Sequence, residues 1–236
     1  MPNILALETS SNACSVALAT PSGVFEDTVI LPREHTQRLL PMIDGLLTSQ
    51  QIGLNDLNAI AYGAGPGSFT GLRICLSVAQ GLAYGADLPL IAVSSLLALA
   101  KTTQRIQSIA TGSIIIPAID ARMNEVYWCA YEVAVDGSLT ALLEEQVTAP
   151  QDCADYSDTL AGVKSLTAIG SGWQYPSLAS RLSHADLEAY ANAYDVAILG
   201  QCEWAAGHLL TPAEATPTYL RNEVSWKKRE RIRTHD

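Results

Sequence analysis

The chain contains no uninterrupted apolar run of the roughly 18 residues that a membrane-spanning helix needs. Its start, MPNILALETSS, lacks the basic stretch that opens a secretory signal. The expectation is a cytoplasmic protein without membrane contact. Positive charge is scarce: 14 Lys and Arg stand against 24 Asp and Glu, a formal charge of −10. Five of those 14, Lys227, Lys228, Arg229, Arg231 and Arg233, crowd into the last ten positions, so the body is more acidic than the total implies. Such a body repels phosphate backbones and does not grip nucleic acid by itself. The basic end has two open readings, a solvated tail or a contact with RNA or an acidic partner. The five cysteines, Cys14, Cys75, Cys129, Cys153 and Cys202, are scattered and form no CxxC pair. Neither a disulfide framework nor a thiolate metal or redox site is suggested, and reduced, buried thiols are expected.

Several catalytic signatures are also missing. His35 opens a predicted helix, but the position four residues on, where a second metal ligand would share its face, holds Leu39. His184, His208 and His235 have no ligand spacing, so no metal is expected. There is no GxSxG elbow for a serine nucleophile. The glycine-rich stretch GAGPGSFTGLR, Gly63 to Arg73, has no Lys after its glycines, and Ser68 stands where GxGxxG would place its last glycine.

What is present is an apolar chain patterned as α/β. Hydrophobic residues make up 48% and charged residues 16%, which fits either a well-filled core or apolar surface kept for a partner. Short apolar runs separated by turn residues, ILALETSS, CSVALATP and VFEDTVIL, read as a three-stranded antiparallel meander. HTQRLLPMIDGLLTSQQIG then reads as an amphipathic helix with Pro41 near its first turn. A buried strand NAIAYG, the glycine loop, a helix from about 69 to 86, the strand LPLIAV and a helix from Ser94 follow. A second block from Ser113 repeats a buried strand ending in an acid, a turn and a long strand. Glu8 and Asp120 hold equivalent places in the two blocks, a weak internal duplication. Later segments suggest a strand at 142–147, a helix from Ala154, a strand at 166–169 and a helix at 194–210, before a Pro-rich stretch that crosses back to the first block. The pattern predicts two lobes with mixed sheets: 1–103 with the first two apolar-faced helices, 104–210, and a return segment with the basic tail at 211–236.

A cleft between such lobes is a natural ligand site. Its candidates are Glu8, Thr9 and Ser10 at one strand end and Asp120 and Arg122 at the other, where carboxylates could hold a metal-bound nucleotide or accept a proton. Arg122 could equally pair with Asp120. The loop residues Gly65, Gly67, Ser68, Gly71 and Arg73 precede or open a helix whose N–H groups could face an anion. A structural turn capped by Ser68 is the alternative. The first two helices carry broad apolar faces, that of the second covering an arc of about 200° at 100° per residue. His35, Leu39, Leu40, Ile43 and Leu47 on one, and Leu72, Leu76, Ala79 and Ala83 on the other, are candidates for a helix-to-helix partner interface. Coverage by later segments of the same chain is equally open.

The segments LALETSSNACSVAL, HTQRLLP, GAGPGSFTGLR, IDARMNEVYWCAY and PTYLRNEVSWKK occur in family order across nearly the whole chain. On these segments the chain resembles the TsaB (YeaZ) family, the non-catalytic subunit of the bacterial system that makes threonylcarbamoyladenosine (t6A) in tRNA. The resemblance implies two actin-like, ribonuclease-H-like lobes and pairing through the N-terminal helices with the catalytic relative TsaD. It implies that TsaE, an ATPase, joins the assembly and that homodimers form through the same helices when TsaD is absent. The product is implied to lie in tRNAs reading codons that begin with A, with tRNA met through the complex and no cofactor of the chain's own. TsaD carries an HxxxH metal pair where this chain has His35 and Leu39, which agrees with a loss of catalysis. Glu8 departs from the Asp of many relatives but keeps the charge. The rival readings are an ATP-dependent kinase or acyl transferase using the cleft and, last, a peptidase.

Overall fold

The computed structural model describes residues 1–221 apart from 32, 163 and 182–184. His184, His235 and the basic residues 227–233 lie outside the described residues. The first block runs β1 (Ile4–Glu8), β2 (Ala13–Thr20), β3 (Gly23–Ile30), α1 (His35–Ser49), β4 (Ala59–Gly65), α2 (Phe69–Ala86), β5 (Leu90–Ser94) and α3 (Ser95–Gln107). The second runs β6 (Ile114–Arg122), β7 (Glu125–Val133), β8 (Leu139–Thr148), α4 (Pro150–Leu160), β9 (Leu166–Ile169), α5 (Pro176–Ala179) and α6 (Ala193–Ala206).

The five-stranded sheet has the order β3-β2-β1-β4-β5, and the four-stranded sheet β8-β7-β6-β9. In each, an antiparallel meander is extended by a parallel strand beside its first member: β1 pairs β4 in parallel, and β6 pairs β9. This shared topology makes the expected duplication visible, and the mixed-sheet, two-lobed α/β class stands.

Side-chain size explains how the layers stack. On one face of the first sheet Leu5, Leu7, Val16, Leu18, Ile60 and Tyr62 meet α1 and α2. The opposite face presents Ala6, Ala17, Ala19, Ala59 and Ala61 to α6. These small residues let α6 lie close, so close that a Cβ on Gly200 would stand 2.9 Å from that of Ala61. Residues β1, β2 and β4 are buried on both faces and accordingly read as almost unbroken apolar runs. Each Leu or Ile buried between the layers contributes about 1.5–3 kcal/mol. Helix α6 falls within the stretch 104–210 assigned to the second lobe from its position in the sequence, yet it packs on the first sheet and on α3. Asn192 caps it, with its backbone N–H donated to Thr102 Oγ1.

The helix at 194–210 ends earlier than its apolar pattern suggests, because Gly207 takes the left-handed conformation that stops a helix at Ala206. Pro41 sits inside α1 rather than at its first turn. Its ring supplies no donor for the carbonyl of residue 37, and Gln37 is exposed, where water can satisfy that group. Beyond α6 the chain crosses back over β5, β4 and α2. Leu210 exchanges backbone hydrogen bonds with Leu90, and the N–H of Thr218 donates to the Ala64 carbonyl at 2.7 Å. Gln80 donates to the carbonyls of Pro212 and Ala215. The Tyr62 hydroxyl donates to Thr216 O, and burial pushes its pKa up to about 12.

Candidate functional site: the glycine loop, the two hairpin turns and the α1–α2 face

The glycine loop is filled by the protein itself. It packs against the turn between β1 and β2: Ser68 N–H donates to Ser10 O at 2.8 Å, and Thr9 Oγ1 donates to Gly71 O at 2.8 Å. A Cβ on Gly71 would lie 2.0 Å from Thr9 O, and one on Gly67 would lie 2.7 Å from Ser10 Cβ. The glycines at 67 and 71 are thus explained by backbone approach, and Ser68 caps α2 by accepting from Gly71 N–H at 3.3 Å. Gly65, with φ of 108°, leads into the turn beneath Thr218 O, against which a Cβ would close to 3.1 Å. Of the two readings of this loop, the capped structural turn is the one its packing describes.

Glu8 ends β1 as a buried carboxylate, and the expectation that it faces an open cleft is corrected. Its Oε1 accepts from Ser10 N–H and its Oε2 from Ser95 Oγ at 3.0 Å. Oε2 also lies where a Cβ on Gly63 would come within 2.0 Å. Burial raises its pKa above the usual carboxylate range, and the hydrogen bonds from Ser10 and Ser95 oppose that rise. Thr9 and Ser10 are buried with it. All three are spent within the chain, a condition invisible in the sequence because it depends on Gly63 and Ser95 arriving from other elements.

The equivalent turn of the second lobe is different. Met123 and Asn124 form a two-residue hairpin turn, both in the left-handed region as a type I′ turn requires. Asp120 accepts from the Arg122 backbone N–H at 2.8 Å and from the Tyr175 hydroxyl at 2.9 Å, and pairs with the Arg122 guanidinium at 3.0 Å. Burial, then the bond to Asp120, pushes the Tyr175 pKa up. Arg122 nevertheless holds its side chain 86% exposed. Arg221 of the return segment donates to Ala121 O and pairs with Glu125, fastening the end of the described chain to this hairpin.

The nine interface candidates divide. Leu39, Leu72, Leu76, Ala79 and Ala83 are buried in the core beneath α1 and α2, and Ile43 is buried at the floor of the groove between the two helices. His35 is buried too, and its Nε2 lies 3.0 Å from Ser11 O and 3.2 Å from Ala13 O. Carbonyls only accept, so this nitrogen carries the proton and ties α1 to the β1–β2 turn. Only Leu40 and Leu47 reach the surface. They do so beside half-buried Ile74, Val78 and Leu82, which belong to the broad apolar arc of α2, and beside exposed Tyr84, which lies outside that arc. On α2 the positions 74, 78, 81, 82 and 85 follow helical spacing along one stripe, and Gly81 and Gly85 there have nothing within 4 Å of a built Cβ. On α1, Leu40, Asp44 and Leu47 form a matching stripe beside Gly45, which is equally open. Between the helices lies an open groove of about 480 Å³ lined by Leu40, Ile43, Leu47, Ile52, Leu54 and Leu82.

The thiols of Cys75 and Cys129 are pushed up by burial, and that of Cys153 to about 12 for the same cause. These groups are inert at neutral pH. Cys202 is exposed. No helix among the described residues is long and apolar enough to cross a membrane.

Comparison with known proteins bears on this arrangement. Residues 28–198 match the family model of TsaD, tRNA N6-adenosine threonylcarbamoyltransferase. The chain is 42% identical to the tRNA threonylcarbamoyladenosine biosynthesis protein TsaB of Escherichia coli, over 95% of this chain and 97% of that protein. With the TsaB of Haemophilus influenzae the identity is 39%, over 95% and 96%. A crystal structure of a Pseudomonas aeruginosa protein with similarity to peptidase YeaZ superposes with a TM-score of 0.85 at 38% identity, covering 94% of this chain and all of that one.

Proposed function

The chain belongs to the TsaB (YeaZ) family of tRNA threonylcarbamoyladenosine biosynthesis proteins, and we propose that within that pathway it is a non-catalytic subunit that docks the threonylcarbamoyltransferase TsaD through the outer stripes of α1 and α2. The observation that carries this reading is the stripe itself: Leu40 and Leu47 on α1, and Ile74, Val78, Leu82 and Tyr84 on α2, surround the bare glycines 81 and 85. Glycines on an exposed helix stripe let a second helix approach closely, and the flanking apolar side chains supply the area it would bury. The match of the chain itself to the transferase family supports the identity of the occupant. Two proteins of one fold can present the same helix pair to each other, and the same geometry serves a homodimer when TsaD is absent.

The non-catalytic part of the reading is supported by Glu8, Thr9 and Ser10. An ATP-dependent kinase or acyl transferase would draw on that turn for a carboxylate and on the glycine loop for phosphate contacts, and both are already engaged with one another. In this account TsaE joins the pair, tRNA is met in the assembled complex, and the product forms in tRNAs reading codons that start with A in the cytoplasm. The domain division is proposed as 1–103, 104–210 and 211–236, with α6 shared structurally with the first lobe. A reconstituted modification assay with purified TsaD, TsaE, threonylcarbamoyl donor and tRNA tests the role. Product only when this chain and TsaD are both present supports it; product from this chain without TsaD would refute it.

A further inference from the structure

The glycines of GSFTGLR are accounted for by packing, but Phe69 and Arg73 of the same motif are not. Phe69 opens α2 as a residue 57% exposed, an unfavourable place for a large hydrophobic side chain unless something covers it. The Arg73 guanidinium lies over that ring, 3.8 Å from its centroid. Tyr219, brought from the far end of the sequence by the return segment and 47% exposed, sets its ring 6.1 Å from Phe69 and its hydroxyl within 3.4 Å of Arg73 Nε. Two residues further on, Arg221 fastens the chain to the β6–β7 hairpin, whose exposed Arg122 and Met123 stand at the turn. Among the described residues no carboxylate lies within 4.0 Å of Arg73. In a chain of charge −10, the Phe69–Arg73–Tyr219 cluster is thus joined within two residues of chain to the hairpin that carries Arg122, and five more basic residues follow Arg221 in the sequence.

We propose that Phe69, Arg73 and Tyr219 form a stacking platform for an unpaired nucleobase of the tRNA substrate, with Arg122 placed for its phosphate backbone. The proposal rests on the role in tRNA modification given above. Unpaired bases in RNA loops are recognised by stacking on aromatic rings and guanidinium planes, and the backbone by nearby cations. The guanidinium 3.8 Å above the Phe69 centroid offers a cation for stacking, and the tilted Phe69–Tyr219 pair offers an adjacent ring. Aromatic rings with arginines also occur in protein interfaces, so association with TsaD and TsaE is read separately in the test.

The test titrates a fluorescently labelled anticodon stem–loop RNA into the full chain alone and into its mixture with TsaD, at low salt, reading anisotropy. Phe69→Ala and Tyr219→Ala are each expected to weaken binding about tenfold or more, while Tyr219→Phe, which keeps the ring, restores it. Arg122→Ala is expected to weaken binding less and to flatten its salt dependence. Unchanged affinity of Phe69→Ala in both titrations overturns the platform, even if Tyr219→Ala lowers the melting temperature by releasing the return segment. Loss of TsaD or TsaE association by Phe69→Ala with RNA affinity retained also overturns it and assigns the patch to protein. Light scattering of the same mixtures reports TsaD docking separately, so failure of the α1–α2 interface is distinguished from failure of the platform.

Discussion

Replacing Gly71 with alanine would put a methyl group 2.0 Å from the Thr9 carbonyl oxygen, where real Cβ contacts do not occur. The obstacle is backbone on both sides, so relief requires the first turn of α2 to move off the β1–β2 turn. That movement breaks the bonds from Thr9 Oγ1 to Gly71 O and from Ser68 N–H to Ser10 O, worth about 1 kcal/mol each. It also disturbs the Ser68 cap, worth about 1 kcal/mol more. Alanine's better helix propensity returns up to about 1 kcal/mol. The net loss is about 2–3 kcal/mol, which in a chain of this size lowers Tm by roughly 4–12 °C. The control lies on the same helix: Gly81→Ala meets nothing within 4 Å, and is expected to raise stability by up to about 1 kcal/mol, or roughly 2–4 °C. Thermal unfolding followed by circular dichroism at low protein concentration reads both. Equal shifts in the two variants, or a Gly71→Ala protein as stable as the parent, would refute the packing explanation for the loop.

Leu76→Asp and Ile43→Asp, natural choices if those residues lay on a partner surface, are expected to unfold the chain, since each places a carboxylate in the core at a cost on the order of 4 kcal/mol or more. A folded far-ultraviolet spectrum for either would contradict their burial. Glu8 titrates with a raised pKa in the folded state, so folding favours its protonated form, and its contribution to stability is lost as pH climbs from 4.5 through the folded value. Urea unfolding should therefore show the parent losing stability relative to Glu8→Gln across that window, whereas parallel profiles would mean that the carboxylate is solvated. Arg105→Ala strands the buried carboxylate of Asp195, which now accepts from Arg105 at 2.7 Å, and should cost on the order of 3 kcal/mol. Arg122→Ala removes an exposed guanidinium from Asp120, which keeps its bonds from the residue 122 N–H and the Tyr175 hydroxyl, and should cost less than about 1 kcal/mol; equal losses by chemical denaturation would overturn that ranking.

The meander, the α/β alternation and the return segment were legible because each depends on a local pattern: short buried runs, helical spacing and a Pro-rich stretch after the last helix. The side of each helix that meets the core was not. The apolar arc of α2 is wide enough to fit either orientation, and the decision is made by the large residues Leu5, Leu7 and Leu18 on the facing sheet, which draw Leu72, Leu76 and Ala79 inward. What remains outside is the less apolar side, with its glycines. Burial of Glu8 was equally hidden, since Gly63 and Ser95 reach it from distant parts of the chain. The Phe69–Tyr219 pair joins residues 150 positions apart and leaves no periodic trace.

The central claim is that the outer α1–α2 stripe, not its buried face, binds the transferase. The most direct measurement is the light-scattering mass of TsaD mixed with this chain, the parent beside Leu82→Asp and Leu40→Asp, after circular dichroism shows each variant folded. The account predicts a heterodimer for the parent and separate chains for both variants. A heterodimer that survives both substitutions would contradict it.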